Sequence, residues 1–315
     1  MLTPALRRLM PSLVLCLFAT AGLAQINTVH QVAAGVYFHE GDPRRGHSNN
    51  GWVIFEEFVL VVDANYPSGA EIVLPRIKET TDKPVRFVFN THHHGDHAYG
   101  NRIWAAQGAT PIASTGVLDE MKKVETGHFG GPPGRWEDAA VKRPDVAASR
   151  LQPPVLLFPK DLFLDDGHER VELLSLGTGH TRGDAYAWLP REKILFTGDA
   201  CVNGPHNNVD DGDIGEWIKT LERVKLLGAV TVCPGHGPMG GPEIIADQQA
   251  YFIALQTQVK ALVDGGRTGA EVKAAVPLIA TELKKTPAIA RYVQLDLTRH
   301  VRKVFLELGG TGFPK

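Results

Sequence analysis

Apolar and polar positions along residues 36–62 fall into short runs separated by turn residues. Val36-Tyr37-Phe38 leads into a polar loop, Glu40 to Asn50. Trp52-Val53-Ile54-Phe55 and Val59-Leu60-Val61-Val62 then flank Glu56-Glu57, which reads as a hairpin. Ser68 and Glu71 have capping-box spacing for a helix running to about Glu79, and Pro75 inside it predicts a kink or an early break. A strand over 85–90, a helix near Tyr99–Gln107 and the run Pro111-Ile112-Ala113 complete a strand–helix–strand pattern. Residues 125–160 carry so many glycines and prolines that no period survives, and a long irregular insertion of this kind is often functional. Its His128, Phe129, Arg135 and Trp136 either line a pocket or pack the insertion against the body.

The second half returns to strands. Leu162-Phe163-Leu164 and Val171-Glu172-Leu173-Leu174 flank Asp166-Gly167, a hairpin signal. Ala185–Leu189 and Ile194–Phe196 flank a four-residue polar turn. Asp213 and Glu216 cap a helix to about Leu227, with Trp217, Leu221 and Val224 recurring at helical spacing as a core stripe. Past Gly241 the pattern is helical, with Thr268 and Glu271 forming another capping box. No repeat of 20–50 residues is present. Two half-domains of strands and helices predict an α+β chain, two sheets packed face to face with helices outside.

Composition adds bounds. With 315 residues, 43% apolar and 22% charged, the chain can bury one sizeable core or two modest ones. Its formal charge is −2 and it has no long lysine or arginine run, which argues against a nucleic-acid partner. At the N-terminus, Arg7 and Arg8 precede a short apolar stretch, Leu13 to Phe18, and then the small residues of Ala19–Ala24. This pattern predicts a secretory signal over residues 1–24, cut after Ala24, in a periplasmic or secreted protein. The stretch is shorter than the roughly 20 residues of a spanning helix, so no stable membrane anchor is expected. Removing Arg7 and Arg8 moves the formal charge from −2 to −4. Two cysteines remain, Cys201 and Cys233, and two separate thiols are expected, although an oxidising compartment permits a disulfide. Oligomeric state is not readable.

The chemistry is concentrated in Thr91-His92-His93-His94-Gly95-Asp96-His97, at the end of the apolar run 85–89. Only 13 of the 315 residues are histidine, so four of them within six positions are a poor fit to chance. Side chains alternate in an extended segment, so His92 and His94 face one way and can grip one ion. Asp96 and His97, past the bend at Gly95, can turn toward a second. His93 points the other way and is expected beside the ligands or exposed. Thr91 and Thr181 either orient ligands or cap backbone. His180, Asp199 and His236 each follow a strand-like run and a glycine, which lets the chain turn sharply and bring the side chain out at the strand's end. Asn203, His206, Asn207 and Asn208 lie in the loop after Asp199, where they touch substrate or are merely solvated.

His92-x-His94-x-Asp96-His97 resembles the first motif of the metallo-β-lactamase superfamily, and His180, Asp199 and His236 follow in that family's order. The resemblance covers roughly residues 29–240. It implies a four-layer αββα sandwich over residues 25–241, with metals in the groove between the sheets and residues 242–315 as a helical C-terminal extension packed on the same domain. It further implies one metal on His92, His94 and His180, a second on Asp96, His97 and His236, and Asp199 bridging them. Cys201 is not needed as a ligand, because Asp199 fills that place. Imidazole and carboxylate suit zinc, so two Zn²⁺ are expected, with iron or manganese as substitutes.

Two such metals about 3.5–4 Å apart can share a water and lower its pKa toward about 7. Asp96 and Asp199, the catalytic carboxylates on this reading, would then help present a bridging hydroxide to a carbonyl carbon. With two Zn²⁺, two carboxylates and that hydroxide the centre carries about +1, which favours a small anionic substrate. The resemblance implies a hydrolase of an ester, lactone, thioester or β-lactam. The family's well-known zinc β-lactamases have cysteine or serine at the place of Asp199, whereas its glyoxalase-type thioesterases and lactonases have aspartate, so antibiotic hydrolysis is the alternative rather than the first reading. Export argues against glutathione thioesters and RNA as substrates. A phosphodiesterase, a mononuclear iron sulfur dioxygenase and a metal-storing protein are the remaining alternatives.

Overall fold

Strands with apolar residues on both faces dominate this chain, because each sheet is covered on both sides. A computed structural model describes residues 26–293 and 297–314; the expected signal segment lies outside the described residues. The first sheet has seven strands in chain order: β1 Thr28–Ala33, β2 Val36–Glu40, β3 Asn50–Ile54, β4 Val59–Val62, β5 Val85–Asn90, β6 Thr110–Ser114 and β7 Leu156–Phe158. Around them run α1 Pro67–Lys78, α2 Gly95–Ala98, α3 Asn101–Ala106, α4 Thr115–Val124, α5 Arg135–Lys142 and α6 Pro144–Ala147. The second sheet has β8 Asp161–Asp165, β9 Arg170–Leu174, β10 Tyr186–Leu189, β11 Ile194–Gly198 and β12 Thr231–Pro234, with β8 and β12 at its edges. Helix α7, Ile214–Lys225, connects β11 to β12, which pair in parallel. Then follow α8 Glu243–Asp264, α9 Gly269–Ala274, α10 Val276–Lys284, α11 Pro287–Ala290 and α12 Thr298–Glu307.

Side-chain alternation sorts the core into three layers. Val36, Phe38, Leu60, Val62 and Phe89 face Leu173, Ala187, Leu189 and Phe196 between the sheets. Trp52, Val59, Val61 and Val88 face the other way, onto Val73 and Ile77 of α1 and Trp104 of α3. Tyr186, Trp188 and Leu195 pack outward on Trp217, Leu221 and Val224 of α7 and on α8. The result is the αββα sandwich. The same alternation separates the cysteines: Cys233 lies between the sheets and Cys201 on the helical side, and both are free thiols. Among the described residues no helix is long and apolar enough to cross a membrane.

Three local expectations are corrected. Helix α1 starts at Pro67 with Tyr66 as its uncapped N-cap, so Ser68 is not a cap. Its hydroxyl instead donates to Asp145 at 2.6 Å and meets His47 Nε2 at 2.9 Å. Pro75 does not end α1, which runs on to Lys78; Pro75 costs only one backbone donor there. Residues 125–160 are not irregular throughout, since α5, α6 and β7 lie within them. Glu137 accepts from Gly134 N at 2.7 Å, satisfying a donor at the start of α5.

His39 on β2 is 1% exposed and neither ring nitrogen has a hydrogen-bond partner. Burial first, then the Arg76 charge, lowers its pKa to about 4. The unfolded chain therefore binds the proton between pH 6.5 and 4 while the folded chain does not, so stability falls as pH drops through that window. In urea unfolding, His39→Met is expected to lose about 2 kcal/mol less than the parent between pH 8 and 5. Parallel curves for the two proteins would show that His39 takes up its proton in the folded state.

Candidate metal centre

Four strand ends meet at one rim of the sandwich. Strand β5 ends at Asn90, whose side-chain amide donates to His97 O at 3.1 Å and to Asn101 Oδ1 at 2.9 Å, closing the histidine loop. The loop after β9 brings in His180, and a turn in which Asp184 accepts from Thr181 N and Oγ1 holds it. Strand β11 ends at Gly198, in the left-handed region at φ +50°, where a Cβ would sit 2.2 Å from Thr91 Oγ1. That close crossing delivers Asp199. Strand β12 ends at Pro234, and Gly235 then lets His236 approach.

All seven side chains picked out in the sequence converge. Ligand-type atoms of His92, His94 and His180 lie within 4.8 Å of one another, as do those of Asp96, His97 and His236. Asp199 stands between the sets: Oδ1 is 3.3 Å from His97 Nε2, and Oδ2 is 3.4 Å from His236 Nε2 and 3.7 Å from His180 Nε2.

Hydrogen bonding fixes which nitrogens face inward. A carboxylate only accepts, so His94 Nε2 donates to Asp211 at 2.7 Å and His97 Nδ1 donates to Asp63 at 2.8 Å. His180 Nδ1 donates to Asn208 O at 2.8 Å. The Thr91 hydroxyl donates to Asp63, so it accepts from His92 Nδ1 at 3.1 Å. In each neutral ring the other nitrogen is then a bare lone pair pointing into the centre. His94 Nδ1 and His180 Nε2 face each other at 2.8 Å, two acceptors with no donor between them. His92 Nε2, His97 Nε2, His236 Nε2 and Asp199 Oδ1 are buried without a hydrogen bond. Converging lone pairs and carboxylates are the donor types that hold metal ions, so the residues present fit a metal centre.

Electrostatics agree. Burial keeps His92 neutral, well below its ordinary value, and lowers His180 to about 3. For His236 burial opposes charge, but the Asp199 and Asp96 carboxylates override it and raise the pKa to about 9. His97 is raised in the same way by Asp199 and Asp63. Without a cation, these two rings carry the charge that balances the carboxylates.

His93 is fully buried rather than exposed, with both nitrogens unpartnered and Asp211 3.8 Å away. Thr91 orients His92 as well as bonding Asp63, whereas Thr181 only closes the Asp184 turn. His206 stacks on His236 with ring centroids 3.7 Å apart. Asn203 donates to Pro238 O, a structural contact. Arg135 forms a bidentate pair with Asp211 at 2.5 and 2.8 Å, so part of the insertion does reach the site. Trp136 packs on Tyr99 instead, and Phe129 is exposed. Asp63, Asp184 and Asp211 were not picked out in the sequence; only their positions beside strand or helix ends mark them, as they mark many capping residues.

A cavity of about 250 Å³ opens on the centre, lined by Tyr66, His94, Asp96, Arg135, His206 and Asn208. A wider recess of about 450 Å³, lined by Pro43, His47, Pro205 and Pro238, adjoins it across His206.

At Gly235 a Cβ would lie 2.1 Å from Asp199 Oδ1 and 2.7 Å from Gly198 C. Gly235→Ala must therefore displace Asp199, and about a 10²-fold lower turnover is expected, the scale of a 1 Å misplacement. Kinetics on metal-quantified protein check this; parental rates would mean that the backbone gives way without moving Asp199.

Residues 44–236 match the metallo-beta-lactamase superfamily model. The chain is 27% identical over 187 residues to beta-lactamase-like protein 2 homolog of Caenorhabditis elegans, covering 57% of this chain and 52% of that one. It is 25% identical over 198 residues to hydroxyacylglutathione hydrolase of Methylococcus capsulatus, covering 62% and 64%. The chain thus spans less than two thirds of the length of either relative. In fold it is similar to a metallo-beta-lactamase from Pontibacter korlensis, with a TM-score of 0.58, 21% identity, and coverage of 71% of this chain and 98% of that one. With more than half its length matched, the chain belongs to the metallo-beta-lactamase superfamily.

Proposed function

We propose that this protein is an exported, metal-dependent hydrolase of a small carbonyl compound: an ester, lactone, thioester or β-lactam. The observation that carries this is the set of buried, bond-free donor atoms converging on Asp199 beside an open cavity. His92, His94 and His180 would hold one cation, and Asp96, His97 and His236 a second, with Asp199 between them. Two Zn²⁺ held there would supply the Lewis acidity that activates water and polarises the carbonyl group. The protein's part is to hold ligands and substrate. Asp63, Asp211, Thr91 and Asn208 fix the ring orientations. Arg135 and Tyr66 line the cavity where an anionic end of the substrate would lie, and the wider recess takes the remainder.

Aspartate at position 199 and the similarity to a hydroxyacylglutathione hydrolase favour thioesters and lactones over β-lactams. Export rests on Arg7, Arg8 and the run to Ala24, and it points to a thioester other than glutathione's. The test is a hydrolysis panel on metal-quantified protein: aromatic ester, homoserine lactone, thioester, chromogenic cephalosporin and phosphodiester. Two zinc per chain with turnover of a carbonyl substrate is the expected result. One iron per chain with oxygen consumption would overturn it in favour of a dioxygenase. N-terminal sequencing of the protein from the periplasm is expected to start at Gln25.

A further inference from the structure

The loop between β11 and α7, residues 199–213, touches three of the proposed ligands. Asn208 O accepts from His180, the Asp211 carboxylate accepts from His94, and His206 stacks on His236. This loop has little secondary structure of its own, so something else must fix it.

Gln248 of α8 and Trp217 of α7 hold its start, at Ala200 and Val202; its far end is held by α12, far along the chain and outside the residues that match the family. Arg299, Lys303 and Glu307 are spaced four apart and so share one helical face. Arg299 pairs with the Asp210 carboxylate, and Lys303 Nζ donates to Asp210 O at 3.3 Å. Both Glu307 oxygens accept from Ile214 N at 3.1 Å, satisfying the first donor of α7 where the loop ends. His300, 1% exposed, lies between the Tyr251 hydroxyl at 2.6 Å and the Asn207 backbone. A cavity of about 220 Å³, lined by Asn207, Asn208, Arg299 and His300, separates loop and helix between these contacts. Ala200, Cys201, Val202 and Val209 of the loop pack into the core, whereas Asn207 and Asp210 are held to α12 at points, by polar groups.

We propose that α12 is a positioning element of the metal centre: through Arg299, His300, Lys303 and Glu307 it sets the loop that orients His94 and His180. The proposal rests on the metal reading above. It assigns the C-terminal extension a part in metal binding beyond completing the core. None of the four residues touches a ligand, so each acts through Asn207, Asp210 or the start of α7.

The test uses the full chain with zinc and cobalt as probes. Arg299→Met/Lys303→Met removes one exposed and one partly buried cationic group, and Glu307→Gln keeps the side-chain shape, so either variant suffices if the other fails to fold. Lys260→Met, which breaks an exposed α8 pair with Asp264, is the control. Chelator competition should show zinc affinity weakened about tenfold in both α12 variants and unchanged in the control. The visible spectrum of the cobalt form should shift in the same two proteins. A purely structural role predicts a lower melting temperature with parental affinity and spectrum, and that result overturns the proposal. If the parent itself binds no metal, the metal reading fails and this inference with it; parental binding with unaltered variants defeats the inference alone.

Discussion

Asp199→Ala is expected to lose at least one metal per chain and to drop turnover by roughly 10³-fold or more. That corresponds to several kcal/mol of transition-state stabilisation at about 1.36 kcal/mol per decade. Asp199 is 4% exposed and, among the described residues, is the one carboxylate within ion-pair range of His97, His180 and His236 together. In the cation-free protein it holds its charge despite burial because His236 and His97 face it, and its pKa lies well below the ordinary carboxylate range. Removing it leaves those rings without the neighbour that keeps them protonated, and takes away the anion that the proposed cations would share. Asp199→Asn separates shape from charge: it should retain the fold and still lose metal. Metal analysis and kinetics on both variants provide the check. Unchanged kinetics in Asp199→Ala would show that the bridging role belongs to another group.

That position was legible because local sequence dictates it: an apolar strand, a glycine, then the ligand. The histidine loop was legible for the same reason, with four of the seven side chains inside residues 92–97. The two packed sheets followed from the two half-domains of strands and helices and the sandwich from the family resemblance; Val59 to Val62 are apolar throughout because both faces of their sheet are covered. Long-range docking was not legible. Arg135 meets Asp211 across 76 residues and His94 meets Asp211 across 117, and no local period encodes either pair. The 125–160 segment misled because glycine and proline mark turns, yet α5 is short enough to fit between them. Ser68 misled because capping-box spacing says nothing of Asp145, which takes its hydroxyl from outside the helix.

Asp63 shows how far a residue unmarked in the sequence can control the centre. It follows β4 directly at φ +65°, is 2% exposed, and accepts from Thr91 N at 2.8 Å, from Thr91 Oγ1 at 2.9 Å and from His97 Nδ1 at 2.8 Å. Asp63→Ala leaves these donors buried and unpaired, so about 3–5 kcal/mol of stability should be lost. Asp63→Asn is more informative. Asparagine tolerates the left-handed backbone, and its carbonyl oxygen can still accept from Thr91. Its amide nitrogen, however, then points at His97 and donates. His97 Nδ1 must accept, which moves the ring proton to Nε2, the atom that faces Asp199 and Asp96. A protonated Nε2 cannot ligate. The variant should therefore stay folded, keep the cation on His92, His94 and His180, and lose the one on Asp96, His97 and His236. Metal stoichiometry falling from two toward one per chain, with a melting temperature near the parent's in chelator, is the expected result. Two tightly held metals in Asp63→Asn would mean that the amide flips, and that His97 does not depend on position 63 for its tautomer.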